Sequence, residues 1–281
     1  MKWKGRRTSD NIVDRRQGGG AARAGGIGIF GLIIVLVVGM IFGVDISPLM
    51  GGRQSTEVSA PAGPNEIDDQ TEEFVGVVLA DNEEIWGDIF QQSGLQYVEP
   101  KLVLFRGQTV SGCGGASAAM GPFYCPVDQN VFLDTDFFRV MSQEMGATGD
   151  FAAAYVIAHE VGHHVQNQLG LLERVNTLRS RSSQKVSNEL SVRIELQADC
   201  YAGLWARHAN DKLGTIERGD IDEALDTAAR IGDDALQRAS RGVVVPDSFT
   251  HGSSQQRQEW FYRGFDTGDP QACDTFEGVR L

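Results

Sequence analysis

Basic residues are scarce in this sequence beyond its first 23 positions. The 281-residue chain has 25 Lys and Arg against 38 Asp and Glu, and seven of the basic residues lie within residues 1–23. The rest of the chain therefore contains 18 basic and 36 acidic side chains. Because such an acidic body repels phosphate groups, the composition excludes a nucleic-acid-binding function.

Long apolar runs are also missing, with one exception. Residues 24–44 (AGGIGIFGLIIVLVVGMIFGV) contain no charged residue, and about 20 apolar residues span the hydrocarbon core of a bilayer as a helix. The basic residues precede this run. The positive-inside rule therefore predicts a single-pass protein of the cytoplasmic membrane with a cytoplasmic N-terminus and an extracytoplasmic domain, in the periplasm or at the cell exterior. The alternatives are a buried core helix and a signal peptide cleaved near Val58-Ser59-Ala60.

The flanks of the apolar run lack the hydrophobic content of a folded core. Residues 1–23 are basic and polar and are predicted to be disordered. Residues 45–66 are rich in Gly, Pro and Ser and are predicted to form a flexible linker. Residues 67–281 remain, about 215 residues, which is an ordinary size for one domain.

Within that domain the hydrophobic pattern changes along the chain. Residues 69–92 and most of the chain beyond residue 150 show helical periodicity. Between them, three short segments have the composition of strands: KLVLF (101–105), PFYC (122–125) and NVFLD (130–134). The predicted fold class is α+β, mostly helical with a small antiparallel or mixed sheet.

Cysteine is rare as well, and its four residues are Cys113, Cys125, Cys200 and Cys273. An even number in an extracytoplasmic domain indicates disulfides, and four cysteines allow three pairings. We favour Cys113–Cys125 because only a short Gly-rich loop separates them, which leaves Cys200–Cys273. Free buried thiols are the alternative if the topology is inverted, and the lack of a Cys-x-x-Cys spacing argues against zinc binding by these residues.

Three of the five histidines lie in one short segment, AHEVGHHVQ at 158–166. His159, Glu160 and His163 match H-E-x-x-H. On a helix, the two histidines share a face and can hold one ion, with Glu160 directed at its open side. His164 lies about 100° around the helix from His163. We therefore expect His164 to pack or to contact a neighbouring group.

A catalytic zinc ion needs a third protein ligand and an open position for water. Glu195 and Asp199 lie four residues apart on the next predicted helix, among apolar neighbours that argue against a solvated acidic face. Glu195 is predicted to be the third ligand of one Zn²⁺. Asp199 is then expected to accept the free ring N–H of a ligand histidine. The alternative exchanges the roles of the two carboxylates.

Several motifs together resemble the bacterial neutral zinc metallopeptidase family, a group of single-span, membrane-anchored proteins. The resemblance rests on HEVGHHVQ, ELQADCYAG, CGGASAAMGPFYCP and THGSSQQR and covers about residues 67–281. The ligand pattern is similar to the gluzincin arrangement of zincin metallopeptidases. It implies a zincin-like domain that cleaves peptides or proteins in the cell envelope as an endopeptidase, by zinc-activated water with Glu160 as general base.

The segment Thr250-His251-Gly252, followed by Arg257, resembles the Thr-His-Pro…Arg segment of membrane-associated zinc endopeptidases, with Gly252 in place of proline. The resemblance implies that His251 donates to the oxyanion or binds zinc as an inhibitory fourth ligand. A histidine that merely braces the last helix is the alternative.

In zincins an edge strand pairs with extended substrate, and we expect KLVLF or NVFLD to supply that edge.

Two other functions remain open from the sequence. One is a catalytically silent, zinc-containing scaffold or quality-control protein of the envelope. The other is a zinc hydrolase that acts on a non-peptide bond.

Overall fold

The short apolar segments predicted as strands form a mixed sheet in a computed structural model, which describes residues 1–16, 69–117 and 121–279. The strands are β1 Ile12–Asp14, β2 Lys101–Phe105, β3 Gln108–Ser111, β4 Gly114–Ser117, β5 Phe123–Cys125 and β6 Asn130–Asp134. The order in the main sheet is β1-β2-β6-β5, and β3 and β4 form a separate antiparallel hairpin. Strands β1, β2 and β6 run parallel, whereas β5 is antiparallel to β6.

The periodic apolar segments form helices that pack on one face of this sheet. The helices are α1 Gln70–Gln92, α2 Thr135–Gln143, α3 Asp150–Gln168, α4 Leu171–Arg179, α5 Gln184–His208, α6 Asp220–Arg230, α7 Asp233–Arg241 and α8 Ser254–Thr267. Helix α5 lies in the middle and packs along both α3 and α8. The predicted α+β class, mostly helical with a small mixed sheet, is confirmed.

Both faces of the sheet are buried, which explains the unbroken apolar run in KLVLF. Leu102 and Leu104 of β2 face the helices and belong to the main core, together with the stacked rings of Phe151 and Trp205. Val103 on the opposite face packs with a smaller cluster beneath the β3–β4 hairpin. Helices α3 and α5 are thereby fixed relative to the sheet.

The two predicted disulfides are present in the structure. Cys113–Cys125 ties the turn of the β3–β4 hairpin to β5, and Cys200–Cys273 ties the C-terminal segment to α5. The first bond therefore holds the hairpin to a strand of the main sheet, and the second holds the C-terminal segment to a central helix.

The predicted disorder of residues 1–23 is wrong for residues 1–16, which are part of the folded domain. Arg6 donates two hydrogen bonds of 2.6 and 2.8 Å to the buried carboxylate of Asp81 in α1. Arg16 binds Asp69 and Glu72 at the start of the same helix. The composition suggested disorder because the segment is rich in charge. Its arginines, however, meet buried acidic partners, and Ile12 of β1 is buried in the core.

The other predicted segments before the domain lie outside the described residues: positions 17–23, the apolar run 24–44 and the linker 45–66. Within the ranges that the structure describes, no helix combines the length and the apolar character needed to cross a membrane. The expectation that KLVLF or NVFLD forms a sheet edge is wrong. Both are interior strands, because the N-terminal segment pairs with β2 and the chain after β4 adds β5 to β6.

Candidate metal centre

Helices α3 and α5 approach each other closely where the predicted ligands lie. Gly162 of α3 makes this approach possible, since a Cβ atom at this position would lie 3.2 Å from the Cα atom of Ala198 in α5. A larger residue would push the helices apart. The close contact brings His163, next to Gly162, towards the acidic side chains of α5.

The structure brings the three predicted ligands together. Nε2 of His159 lies 3.2 Å from Oε2 of Glu195, and Nε2 of His163 lies 3.6 Å from Oε1 of Glu195. One donor atom from each residue lies within 4.8 Å of the other two. Ligands about 2.05 Å from a tetrahedral zinc ion are about 3.3 Å apart, so this donor set fits Zn²⁺.

Hydrogen bonds at the far nitrogen of each imidazole direct Nε2 towards the centre. Nδ1 of His159 lies 2.8 Å from Oδ1 of Asp199, the partner predicted from the sequence. Nδ1 of His163 lies 2.9 Å from Oε1 of Gln166. Such contacts fix ring orientation and tautomer at metal sites. Gln166 was missed in the sequence, although its position three residues after His163 on the same helical face was a usable signal.

Asp199 is buried and forms hydrogen bonds with several side chains around the candidate ligands. It accepts hydrogen bonds from Nε and Nη2 of Arg257, at 2.8 and 2.9 Å, and from the Tyr155 hydroxyl at 2.6 Å. Burial alone would raise the pKa of Asp199, but the charges of Arg257 and His159 lower it to about 2. Asp199 is therefore an anion that can hold a ring N–H of His159, with Arg257 as its counter-charge.

The electrostatic environment favours a cation between the two helices. Burial tends to lower the pKa of His159, but the carboxylates of Asp199 and Glu195 raise it to about 10. The imidazoles of His163 and His159 overcome the effect of burial on Glu195 and lower its pKa well below the ordinary value. A centre that attracts a proton so strongly also attracts a metal ion that competes for the same lone pairs.

Comparison with known families assigns this chain to a zinc metallopeptidase family. The model of the family described as "Putative neutral zinc metallopeptidase" matches residues 1–276. The chain belongs to this zinc metallopeptidase family. Membership implies zinc as the cofactor, in agreement with the donor set.

Two relatives of this chain are bacterial proteins. "Uncharacterized protein YpfJ" of Escherichia coli (strain K12) is 49% identical over 285 residues, which cover 98% of this chain and 99% of the relative. "Uncharacterized protein Rv2575" of Mycobacterium tuberculosis (strain ATCC 25618 / H37Rv) is 47% identical over 195 residues, 66% of this chain and 65% of the relative. No solved structure matches, so the zincin-like fold stays a prediction from the motifs.

Glu160 of the H-E-x-x-H motif lies in the electrostatic field of all three candidate ligands. Its side chain is buried, and burial raises its pKa, while His163 and His159 act in the opposite direction. A carboxylate with a raised pKa is a better proton acceptor than an exposed one. Glu160 is therefore a buried carboxylate that interacts with all three candidate ligands, as a general base at this centre requires.

His251 lies in the loop before α8 and interacts electrostatically with Glu195 of the centre. Burial would lower its pKa, but Asp233 and the more distant Glu195 raise it. Its Nδ1 lies 3.2 Å from Oδ1 of Asp233, while Oδ2 of Asp233 accepts the backbone N–H groups of Thr250, His251 and Gly252 at 2.7, 2.7 and 3.0 Å. Asp233 thus organises the whole loop, and no sequence motif indicated it.

The departure from Thr-His-Pro at Gly252 has a structural reason. Gly252 has φ of +99°, which proline cannot adopt. The backbone N–H of Gly252 donates to Asp233, and proline has no such N–H. The loop of this chain is therefore held by a hydrogen bond from the Gly252 N–H to the buried Asp233 carboxylate.

Proposed function

We propose that this chain is a zinc-dependent endopeptidase that hydrolyses proteins of the cell envelope. The observation that carries the proposal is the convergence of Nε2 of His159, Nε2 of His163 and the Glu195 carboxylate, with buried Glu160 beside them. These three residues would hold one Zn²⁺. The bound ion would supply Lewis acidity and make a water molecule more acidic.

Each remaining residue of the centre has a role in this proposal. Glu160 accepts the proton of the attacking water and later passes it to the leaving amine. Asp199 and Gln166 keep the Nε2 atoms of the ligand histidines directed inwards. His251, oriented by Asp233, donates a hydrogen bond to the oxyanion that develops on the scissile carbonyl.

Extended substrate would add to the edge of the sheet at β5. This strand lies at one end of the strand order, antiparallel to β6, and packs against the metal helix α3. Main-chain pairing with a sheet edge binds many different sequences, since the backbone groups are common to all peptides. This placement favours a peptide substrate over a small molecule.

The test compares Glu160→Gln with wild type on denatured proteins and on a peptide library. We expect Glu160→Gln to retain zinc, measured by elemental analysis, and to lose hydrolysis by at least about 10²-fold. Glu173→Gln, the same change at an exposed position of α4, is the matched control and should remain active. Normal hydrolysis by Glu160→Gln would overturn the proposal.

The same experiment distinguishes the other functions. Zinc-loaded wild type that is inert on every protein and peptide would indicate a silent scaffold. Products without new peptide termini, found by mass spectrometry of envelope extracts, would indicate a non-peptide hydrolase. His251→Ala should lower kcat if His251 donates to the oxyanion, whereas an increase in activity would identify an inhibitory ligand.

For localisation, we propose that residues 1–16 and the catalytic domain lie together outside the cytoplasm. Disulfides persist in oxidising compartments, and the domain has two. The contacts of Arg16 with Asp69 and Glu72 oppose a single crossing of the membrane between these residues.

Thiol labelling tests this sidedness. Lys4→Cys and Lys101→Cys introduce single free thiols at exposed positions of the N-terminal segment and of β2. We expect an impermeant maleimide to label both variants in intact cells and to leave the wild type unlabelled. Labelling of Lys101→Cys alone before lysis would restore the single-crossing topology, and protection of both would place the domain in the cytoplasm.

A further inference from the structure

The third histidine of the motif connects the metal helix to the rest of the domain. His164 is completely buried, and Nε2 donates to the Val98 carbonyl oxygen at 2.7 Å. Nδ1 is then left as an acceptor for the Tyr124 hydroxyl, at 3.0 Å. His164 has no contact with the candidate ligands in these bonds.

Tyr124 is the residue through which β5 contacts the helices. Its ring packs against the main core, whereas Phe123 stacks on Phe132 on the opposite face of the sheet. The Tyr124 hydroxyl also accepts a hydrogen bond of 3.0 Å from Nδ2 of Asn167, one turn after His164 in α3. Two positions of the metal helix therefore hold one side chain of the edge strand.

The geometry points to His164, Asn167 and Tyr124 as residues that position β5 for substrate binding. Strand β5 has only three residues, so its backbone hydrogen bonds with β6 do little to fix the distance between β5 and α3. The hydrogen bonds of the Tyr124 hydroxyl with α3 fix that distance. A peptide paired with β5 would reach Glu160 in register only if this distance is kept. This inference rests on the proposed peptidase function and adds how substrate is positioned.

The test uses Tyr124→Phe, which keeps the ring and removes the hydroxyl. Two peptide substrates are compared: a short one around the cleavage site, and a longer one that extends along β5. For the long peptide we expect KM to rise about tenfold with kcat unchanged, the equivalent of one lost hydrogen bond to a buried partner. For the short peptide KM and kcat should both stay within about twofold of wild type.

Two variants accompany this one. Asn167→Ala should shift KM for the long peptide in the same direction by a smaller factor, because His164 still holds Tyr124. Tyr262→Phe removes a hydroxyl from an exposed tyrosine of α8 and should change KM and kcat for neither peptide. If Tyr124→Phe raises KM equally for both peptides, or lowers kcat with KM unchanged, Tyr124 only supports the fold.

A binding measurement separates this inference from the proposed function. The long peptide is titrated into zinc-loaded Glu160→Gln with and without Tyr124→Phe. Weaker binding in the double variant supports the inference even without turnover, and equal binding refutes it. If the wild type neither binds nor cleaves the long peptide, the peptidase proposal fails and this inference fails with it.

Discussion

Arg257 is the residue whose loss should reveal most clearly how the centre is held together. Its guanidinium group donates to both oxygens of Asp199, at 2.8 and 2.9 Å, and a third bond of 3.3 Å reaches the Tyr155 hydroxyl. Arg257 is 3% exposed and Asp199 is 0% exposed. Removal of one member of such a pair leaves an uncompensated charge away from water.

We expect Arg257→Met to lower the free energy of unfolding by about 3–5 kcal/mol, the usual cost of breaking a buried ion pair from one side. Two charge-assisted hydrogen bonds at about 1.5–3 kcal/mol each give about 3–6 kcal/mol, which overlaps this range. Urea unfolding with the disulfides intact measures the change, in a chelating buffer so that zinc binding does not contribute. Arg263→Met, on the exposed side of the same helix, should cost less than about 1 kcal/mol.

A double variant tests the reasoning further. Asp199→Asn removes the charge that Arg257→Met leaves unpaired, so the double variant should be more stable than the sum of the two single losses predicts. Strict additivity, or a loss of less than 1 kcal/mol for Arg257→Met alone, would refute the view that Arg257 neutralises Asp199.

Three further predictions concern other parts of the centre and the disulfides. Gln166→Leu should weaken zinc binding about 10–100-fold in competition with a chromophoric chelator, and unchanged affinity would show that it does not orient a ligand. Asp233→Asn should lower kcat at least about tenfold with full zinc content, because the loop of His251 loses its anionic acceptor; equal kcat would contradict this. Replacement of both Cys200 and Cys273 by serine, which opens a 73-residue separation, should cost about 4 kcal/mol in urea unfolding. The other disulfide, with a separation of 12, should cost about 3 kcal/mol, and the reverse order would argue against the chain-entropy account.

The paired side chains of the candidate centre were predictable because they are local. His159 and His163, and likewise Glu195 and Asp199, lie four residues apart, and helix geometry alone places such pairs on one face. The helical periodicity of α3 and α5 and the composition of the strands were equally local signals. So was the Cys113–Cys125 bond, which closes a short loop. Each of these depends on neighbours within a few residues.

The sequence by itself thus predicted the candidate ligands, the α+β class and the favoured cysteine pairs, whereas the tertiary structure decided how distant segments meet. Asp233 lies 18 residues before His251 and organises its loop only because α7 packs beside it. Residues 1–16 resemble a disordered segment until Arg6 and Arg16 meet acidic partners on α1. The strand order, with β5 at the edge, follows from the same long-range packing. Local periodicity reports which face a residue occupies, but the partner across that face depends on the packing of the whole chain.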